Sequence, residues 1–292
     1  MATAVVSAPG KINLTLDILG RREDGYHEME MLMHAVSLEN TVRLTTRDRP
    51  GICLSCSNPA VPTGEKNLAY RAAQAFFAAW GHSVGLEIRV EKRVPMEAGM
   101  AGGSADAAGV LTGLNRIAGG AFSRQELCQI GLSLGADVPF CIWGGAALVQ
   151  GIGEKITPLP PLKQCWLVIA KPPQGMKTAN CFAAYDALDS VHHPDTSRAL
   201  KALQEQNLSA LGKLSENVLE QAVPLPQVQK LREDILQNGA LGSRMTGSGT
   251  AVFGLFADKR QALRCIRRIY RFGGSFFLVR PVDYGAKLLW EG

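Results

Sequence analysis

The stretch VPMEAGMAGGSADAAGVLTGLN, residues 94–115, joins a glycine-rich loop to a run with helical spacing. Ser104 is expected to cap that helix. Its apolar face is marked by Ala107, Val110, Leu111, Leu114 and Ile117. Glycines let backbone N–H groups approach a ligand, and a helix start adds unpaired donors and partial positive charge. The stretch therefore predicts an anion site, most often for phosphate, although a tight turn packed under a helix fits the same residues.

Size and composition describe a soluble chain that is long enough for two domains or one large one. The 292 residues are 46% hydrophobic and 20% charged, with a net charge of +5. This mild positive charge suits an acidic small molecule such as a nucleotide. Aromatic residues make up only 7% of the chain, and a nucleic-acid binder usually combines clustered basic residues with exposed aromatics, so we expect no nucleic-acid partner. The oligomeric state stays open.

Cysteine usage and the lack of targeting segments predict a cytoplasmic protein. Seven cysteines, an odd number, are scattered along the chain, which indicates reduced thiols and not a secreted disulfide framework. The N-terminus does not resemble a signal peptide, and no apolar run reaches the ~20 residues of a membrane span, so no membrane partner is expected. Cys53 and Cys56 form a CxxC without the second pair that zinc requires, which favours a strand there.

The expected elements mix strands and helices, with a boundary near the proline-rich stretch at 157–164. Alternating or continuous apolar residues predict strands at 4–7, 12–18, 41–46, 85–91, 146–149, 166–170, 245–256 and 275–281. Helical spacing predicts helices at 67–80, after the glycine loop, at 123–134, from 178 onward and at 259–272. Ser123 and Glu126 form the expected capping box of the third helix. The last part of the chain is expected to be a smaller α+β unit.

The usual nucleotide motifs GxxxxGK[ST] and GxGxxG do not occur. Phosphoryl transfer still needs a polyphosphate cradle, positive charge and a group that handles the acceptor proton. Gly99–Ser104 is the candidate cradle. Lys11, expected after a Pro-Gly turn, is a candidate cation, and Asp137 in LGADVPF is a candidate carboxylate. Taken singly, a surface lysine and a turn aspartate explain these two residues better.

Four motifs together resemble the ordered motifs of the GHMP kinases, namely APGKINL, PMEAGMAGGSADAA, GADVPF and MTGSGTAVFG. This family includes galactose, homoserine, mevalonate and phosphomevalonate kinases. KINLTLDILGRREDGYHEMEMLM and GLSLGADVPFCIWGGAALVQGIGE are most similar to the branch that phosphorylates the 2-hydroxyl of 4-diphosphocytidyl-2-C-methyl-D-erythritol in non-mevalonate isoprenoid synthesis. The resemblance implies ATP as phosphoryl donor, with Mg²⁺ expected, and a small-molecule acceptor.

The fold that the resemblance implies is α+β with two domains. An N-terminal α/β domain like domain 2 of ribosomal protein S5 would span 1–160, and a ferredoxin-like α+β domain would span 161–292. The active site would lie in the cleft between them.

Site residues are implied by matching this chain to the family motifs position by position. Lys11 and Asp137 match the catalytic pair: Asp137 would orient or deprotonate the acceptor hydroxyl, while Lys11 would keep that carboxylate ionised and stabilise the transferred group. The implied ATP-binding residues are Pro95, Met96, Glu97, Ala98, Gly99, Met100, Ala101, Gly102, Gly103, Ser104, Ala105, Lys66, Asn67 and Leu68. The implied acceptor-binding residues are Asn13, Tyr26, His27, Thr178, Phe182, Gly247, Ser248 and Gly249. Among the latter, Tyr26, His27 and Phe182 would bind the cytosine.

One departure from the family leaves the magnesium ligands unassigned. The family loop usually ends in two serines, and here Ser104 is followed by Ala105 and then Asp106, a candidate cap or metal neighbour. Two alternatives to the cytidine-bearing acceptor remain. One is a kinase for a homoserine-type or mevalonate-type alcohol, which carries no base. The other is a non-catalytic ligand sensor, which would be expected to lose Lys11 or Asp137.

Overall fold

The computed structural model describes residues 1–222 and 225–292. Its strands are β1 (Thr3–Arg21), β2 (His27–Arg47), β3 (Ile52–Cys56), β4 (Gly85–Glu91), β5 (Ala146–Gly151), β6 (Lys155–Leu159), β7 (Trp166–Lys171), β8 (Gly242–Met245), β9 (Val252–Phe256), β10 (Ser275–Val279) and β11 (Lys287–Glu291). Its α-helices are α1 (Leu68–Trp80), α2 (Gly102–Ile117), α3 (Arg124–Leu132), α4 (Val138–Trp143), α5 (Thr178–Asp186), α6 (Thr196–Gln204), α7 (Leu208–Leu214), α8 (Pro226–Gln237) and α9 (Lys259–Ile269). Short 3₁₀ helices follow at Val218–Gln221 and Tyr270–Phe272.

The strands form two sheets, as the expected two-domain α+β fold requires. The larger sheet runs in the order β11-β1-β2-β4-β3, and β5 extends it by pairing with β2 and with β6. The smaller sheet runs β10-β7-β9-β8. Apolar residues of α1 to α4 pack on the larger sheet, while α8 and α9 contact the strands of the smaller one. Within the described residues, no helix combines the length and apolarity of a membrane span.

Alternating side chains of the smaller sheet place its two faces in different cores. Leu167 and Ile169 of β7 pack with Ile12 of β1 and with the residues of α6 and α7. Val168 and Ala170 pack in the other core, which includes the inner faces of α8 and α9. Since successive side chains of a strand point to opposite faces, β7 contributes to both of these cores.

The predicted helix caps are confirmed at Ser123 and wrong at Ser104. Asn67 caps α1 by accepting from the Ala69 N–H, and Ser123 forms the expected capping box of α3 with Glu126. Ser104, in contrast, is not a cap. The helix α2 begins two residues earlier at Gly102, behind Ala101 in a left-handed conformation, so Ser104 lies in the first turn.

The expected turn at Pro9-Gly10 is wrong, because both residues lie inside the continuous strand β1. The pairing with β2 shifts register between Pro9 and Lys11, which is the kind of irregularity that lets a strand hold a proline. The Lys11 N–H leaves the ladder there and donates to the Met100 carbonyl at 3.1 Å. This bulge joins the strand to the glycine loop.

The two sheets do not divide the chain at a single residue. The strand β6 takes in the first part of the proline-rich stretch, and β11 returns the last residues of the chain to the larger sheet. The division into 1–160 and 161–292 stays a prediction.

Candidate active site

A cavity of about 630 Å³ opens between the β1–β2 pair and the loops of the smaller sheet. This volume is within the usual range for small-molecule sites. The residues from the predicted set that line it are Lys11, Lys66, Asn67, Leu68, Pro95, Met96, Glu97, Ala98, Gly99, Met100, Ala101, Gly102, Gly103, Ser104, Asp137, Thr178, Phe182, Gly247, Ser248 and Gly249. Segments from distant parts of the sequence therefore meet around one space.

The lysine and aspartate of the predicted catalytic pair face each other in this cavity. Lys11 is almost fully buried, and its Nζ lies 3.8 Å from Oδ2 of Asp137. Lys11 Nζ also donates to Asn13 Oδ1 at 2.8 Å, so the two side chains lie together on one face of β1. Asp137 directly precedes α4, and its carboxylate is not used to cap that helix. It therefore remains available to a ligand.

The glycine loop is packed tightly between β1 and the loop that joins β8 to β9. Gly99 has a φ of +69°, and a Cβ at this position would collide with the Thr246 carbonyl. Gly247 has a φ of +54°, and a Cβ there would come within 2.7 Å of the Gly99 carbonyl and 3.1 Å of Lys11 Nζ. Only glycine permits this approach without strain. The glycine loop and Gly247–Gly249, the last glycine motif of the chain, thus converge on Lys11.

Polar contacts hold the last glycine motif in place. The Thr246 hydroxyl accepts from the Asn13 N–H at 3.0 Å. Asn217 donates to the carbonyls of Met245 and Gly247, each at 2.9 Å. Ser248 and Thr178 hydroxyls lie 3.0 Å apart. The motif is therefore a fixed wall of the cavity.

A group of aromatic side chains lies beside the cavity at its α5 end. The ring of His27 stacks on Phe182 with centroids 5.0 Å apart, and Tyr185 meets His27 edge-on at 6.2 Å. His27 Nε2 lies 2.7 Å from Oδ1 of Asp186. Tyr26 is 61% exposed, which leaves its ring free to cover a ligand. Rings from β2 and α5 thus form one stacking surface.

Two family models match this chain, described as GHMP kinases N terminal domain at residues 67–145 and GHMP kinases C terminal at residues 199–274. A relative from Carboxydothermus hydrogenoformans, named 4-diphosphocytidyl-2-C-methyl-D-erythritol kinase, is 43% identical over 98% of this chain and 99% of its own length. A relative of the same name from Clostridium tetani is 43% identical over 90% of this chain and 95% of its own length.

This chain belongs to the GHMP kinases.

Solved structures of GHMP kinases agree with this membership and show how little the fold alone says about the acceptor. A crystal structure of 4-(cytidine 5'-diphospho)-2C-methyl-D-erythritol kinase matches with a TM-score of 0.79 and 32% identity, over 94% of this chain and 98% of that one. Homoserine kinase from Cytophaga hutchinsonii matches with a TM-score of 0.78 and 20% identity, over 98% and 97%. The two scores are nearly equal, so side chains must distinguish the acceptors.

Four residues of the predicted site do not line the cavity. Asn13 is fully buried and bonded to Lys11, and His27 stacks on Phe182, which lines the cavity. Tyr26 is an exposed residue that directly precedes β2. Ala105 is fully buried and packs in the core between α2 and the larger sheet. Its N–H donates to Ala101 within the helix at 2.8 Å. Because α2 starts at Gly102, residue 105 turns toward the core and offers nothing to a nucleotide.

Sequence reasoning missed the lysine beneath the glycine loop of this GHMP kinase. Lys92 forms a buried ion pair with Asp106 and donates to the Gly102 carbonyl at 2.7 Å. Asn40 donates to the other oxygen of Asp106 at 2.6 Å. Burial raises the pKa of Asp106, while Lys92 and Asn40 oppose the shift. Nothing in the local sequence pairs Lys92 with Asp106, since the contact forms only when the residue after β4 packs against α2.

Proposed function

We propose that this GHMP kinase transfers the γ-phosphoryl group of ATP to the 2-hydroxyl of 4-diphosphocytidyl-2-C-methyl-D-erythritol, giving the 2-phosphate and ADP in non-mevalonate isoprenoid synthesis. The observation that carries the proposal is a single juxtaposition. The glycine loop, the Lys11–Asp137 pair and the His27–Phe182 stack lie around or beside one cavity. The names of the relatives at 43% identity support the same acceptor.

The proposed chemistry uses Asp137 and Lys11 directly. The acceptor oxygen forms a bond to the γ-phosphorus while the bond to the β,γ-bridging oxygen breaks, and ADP leaves. Asp137 orients the hydroxyl and takes its proton. Lys11, nearly buried and 3.8 Å from that carboxylate, stabilises charge on the transferred group, because an ammonium acts strongly where water is excluded. Asn13 positions the Lys11 ammonium through its 2.8 Å hydrogen bond.

ATP is expected at the glycine loop, with its phosphates against backbone N–H groups at the start of α2. Mg²⁺ is proposed to enter with the nucleotide. Among the described residues, no group of three or more His, Cys, Asp or Glu side chains is arranged to hold a metal. A nucleotide-bound Mg²⁺ needs few protein ligands, because phosphate oxygens and water supply the rest. Ser104, which lines the cavity, is the candidate oxygen donor, because both carboxylate oxygens of Asp106 are already bound by Lys92 and Asn40. The ion would neutralise phosphate charge.

The acceptor base is proposed to stack on the aromatic group at the start of β2 and in α5. Phe182 and Tyr26 supply the ring faces, and His27 supplies polar atoms at the edge of the base. Homoserine and mevalonate offer nothing for such a surface to bind, which disfavours them although homoserine kinase shares the fold. A sensor without activity is disfavoured because Lys11 and Asp137 are both present and adjacent. The seven cysteines are free thiols, which supports a proposed cytoplasmic location.

An ADP-release assay across four alcohols tests the proposal. The panel is 4-diphosphocytidyl-2-C-methyl-D-erythritol, homoserine, mevalonate and galactose, each with ATP and Mg²⁺. We expect turnover with the first alone. Turnover of another member, with none on the first, would reject the proposed acceptor. Inactivity on all four under conditions where the protein binds ATP would favour the sensor instead.

A further inference from the structure

Four lysines line the cavity, and they differ in whether a carboxylate neutralises them. Lys11 pairs with Asp137, and Lys92 pairs with Asp106. Lys66 and Lys177 form no ion pair with any residue that the structure describes. Since a lysine that lines a cavity without a carboxylate partner attracts anions, two positions in this cavity remain to be explained.

These two lysines lie on different structural elements around the cavity. Lys66 directly precedes Asn67, the cap of α1, and belongs to the predicted ATP-binding residues. Lys177 directly precedes Thr178 at the start of α5. Thr178 contacts Ser248 of the last glycine motif, and Phe182 follows one helical turn later. Lys177 therefore lies on the element that joins the last glycine motif to the stacking surface.

Hydrogen bonds and close packing fix the backbone of residues 171–175, which lead to Lys177. Lys171 is 8% exposed, and its Nζ donates to the carbonyls of Pro172 at 2.8 Å and Gln174 at 2.7 Å. The Thr250 hydroxyl donates to the same Gln174 carbonyl at 2.6 Å. Gly175 packs against Glu97 so closely that a Cβ would collide with that side chain. A backbone fixed in this way presents Lys177 to the cavity at a low cost in conformational entropy.

We propose that Lys177 binds the diphosphate of the acceptor, an inference that rests on the proposed function. The acceptor has its base at one end, its reacting alcohol at the other and a diphosphate between them. If the base lies on Phe182 and the alcohol reaches Asp137, the diphosphate passes the start of α5. An ammonium is a good partner for phosphate oxygens. The ATP phosphates have the glycine loop, so Lys177 distinguishes acceptors that carry phosphate from those that do not.

Steady-state kinetics of Lys177→Gln test this inference with both substrates varied. Loss of one charge-assisted contact should raise the KM for the acceptor roughly tenfold. The KM for ATP and the value of kcat should stay within about twofold, because the contact is the same in the ground state and the transition state. Lys177→Arg should restore most of the affinity. Lys213→Gln, at an exposed position of α7 outside the cavity, is the matched control and should behave as the parent.

Calorimetric titration with CDP and with cytidine supplies a readout that is independent of turnover. Lys177→Gln should bind CDP roughly tenfold more weakly and should bind cytidine as the parent does, because only CDP carries the diphosphate. Equal losses for the two ligands, unchanged CDP binding, or a raised KM for ATP in place of the acceptor would overturn the role of Lys177 alone. A parent enzyme that does not use the acceptor would overturn the proposed function, and this inference with it.

Discussion

The two ends of the cavity present different parts of the chain to their ligands. At the glycine loop the surface is mostly backbone, and its shape depends on Gly99 approaching the Thr246 carbonyl. The rest of the cavity surface consists of side chains, with the Lys11–Asp137 pair next to the glycine loop and the rings of His27 and Phe182 at the α5 end. A backbone surface depends on the absence of side chains, whereas a side-chain surface depends on charge and ring identity. Added side chains should therefore impair the glycine loop, whereas lost charges or rings should impair the side-chain surface.

The largest effect is expected from removing the charge of Asp137 in the side-chain surface. Asp137→Asn keeps the shape but loses the carboxylate, so kcat should fall by about 10²–10⁴-fold. Nucleotide affinity should stay within about threefold, since the glycine loop that binds ATP is unchanged. Rapid-quench or ADP-release kinetics with an ATP titration measure both values. Asp189→Asn, at an exposed position after α5, is the control. An Asp137→Asn enzyme within about threefold of the parent would remove this residue from the proposed mechanism.

The next effect concerns the stability of the fold and involves no residue of the predicted site. His34 is fully buried on β2; its Nδ1–H donates to the Ala35 carbonyl at 2.8 Å, and its Nε2 accepts from the Leu162 N–H at 2.9 Å. Burial lowers the pKa of His34 to about 4. The unfolded chain binds this proton near pH 6.5, so the free energy of unfolding should fall as the pH drops from about 6.5 to 4. The loss from this group should reach about 3 kcal/mol.

Urea denaturation of the parent and of His34→Gln between pH 7.5 and 4 measures this contribution. The glutamine carbonyl can accept from the Leu162 N–H but does not titrate in this range. The stability difference between the two proteins should therefore shrink as the pH falls. Parallel stability curves for the two proteins would show that His34 is not responsible.

The third effect tests the backbone end with a substitution that the protein itself can accommodate. A Cβ added at Gly103 meets only Leu68 Cδ1, at 3.5 Å, and Gly103 has no positive φ. Gly103→Val should therefore fold normally, yet it should block the polyphosphate and weaken ATP binding by roughly 10- to 100-fold. CDP binding should be unchanged. Calorimetry with both ligands and a thermal melt decide the matter, with Gly103→Ala as the milder variant. Unchanged ATP affinity would mean that the loop is only a turn.

The smallest effect comes from restoring the second serine of the family loop. Residue 105 faces the core, so Ala105→Ser places a hydroxyl among apolar side chains, where it can bond only to the preceding turn of its own helix. The free energy of unfolding should fall by about 1 kcal/mol, while the affinity for ATP and the dependence on Mg²⁺ stay unchanged. Urea denaturation and calorimetry check the two parts. Tighter ATP or Mg²⁺ binding would return residue 105 to the nucleotide site.

Local patterns in the sequence predicted the elements whose signals are local. The helix that follows Asn67, the capping box at Ser123 and the strands β4 and β7 depend on residues a few positions apart, so spacing and residue type suffice. The converging motifs around Lys11 and Asp137 were found because four short stretches together resemble one family. The family membership and the two-domain α+β fold follow from those residues alone.

Contacts between distant residues were decided only by the tertiary structure. Pro9 stays within a strand because β2 pairs on both sides of a bulge, and Ala105 faces the core because α2 starts at Gly102. Asp106 meets Lys92, and His27 meets Asp186, 159 residues away. Such pairs carry no short-range signal, because they form only when separate elements pack. The chemistry of this chain is therefore present in its sequence, whereas the partners that hold that chemistry in place are a property of the fold.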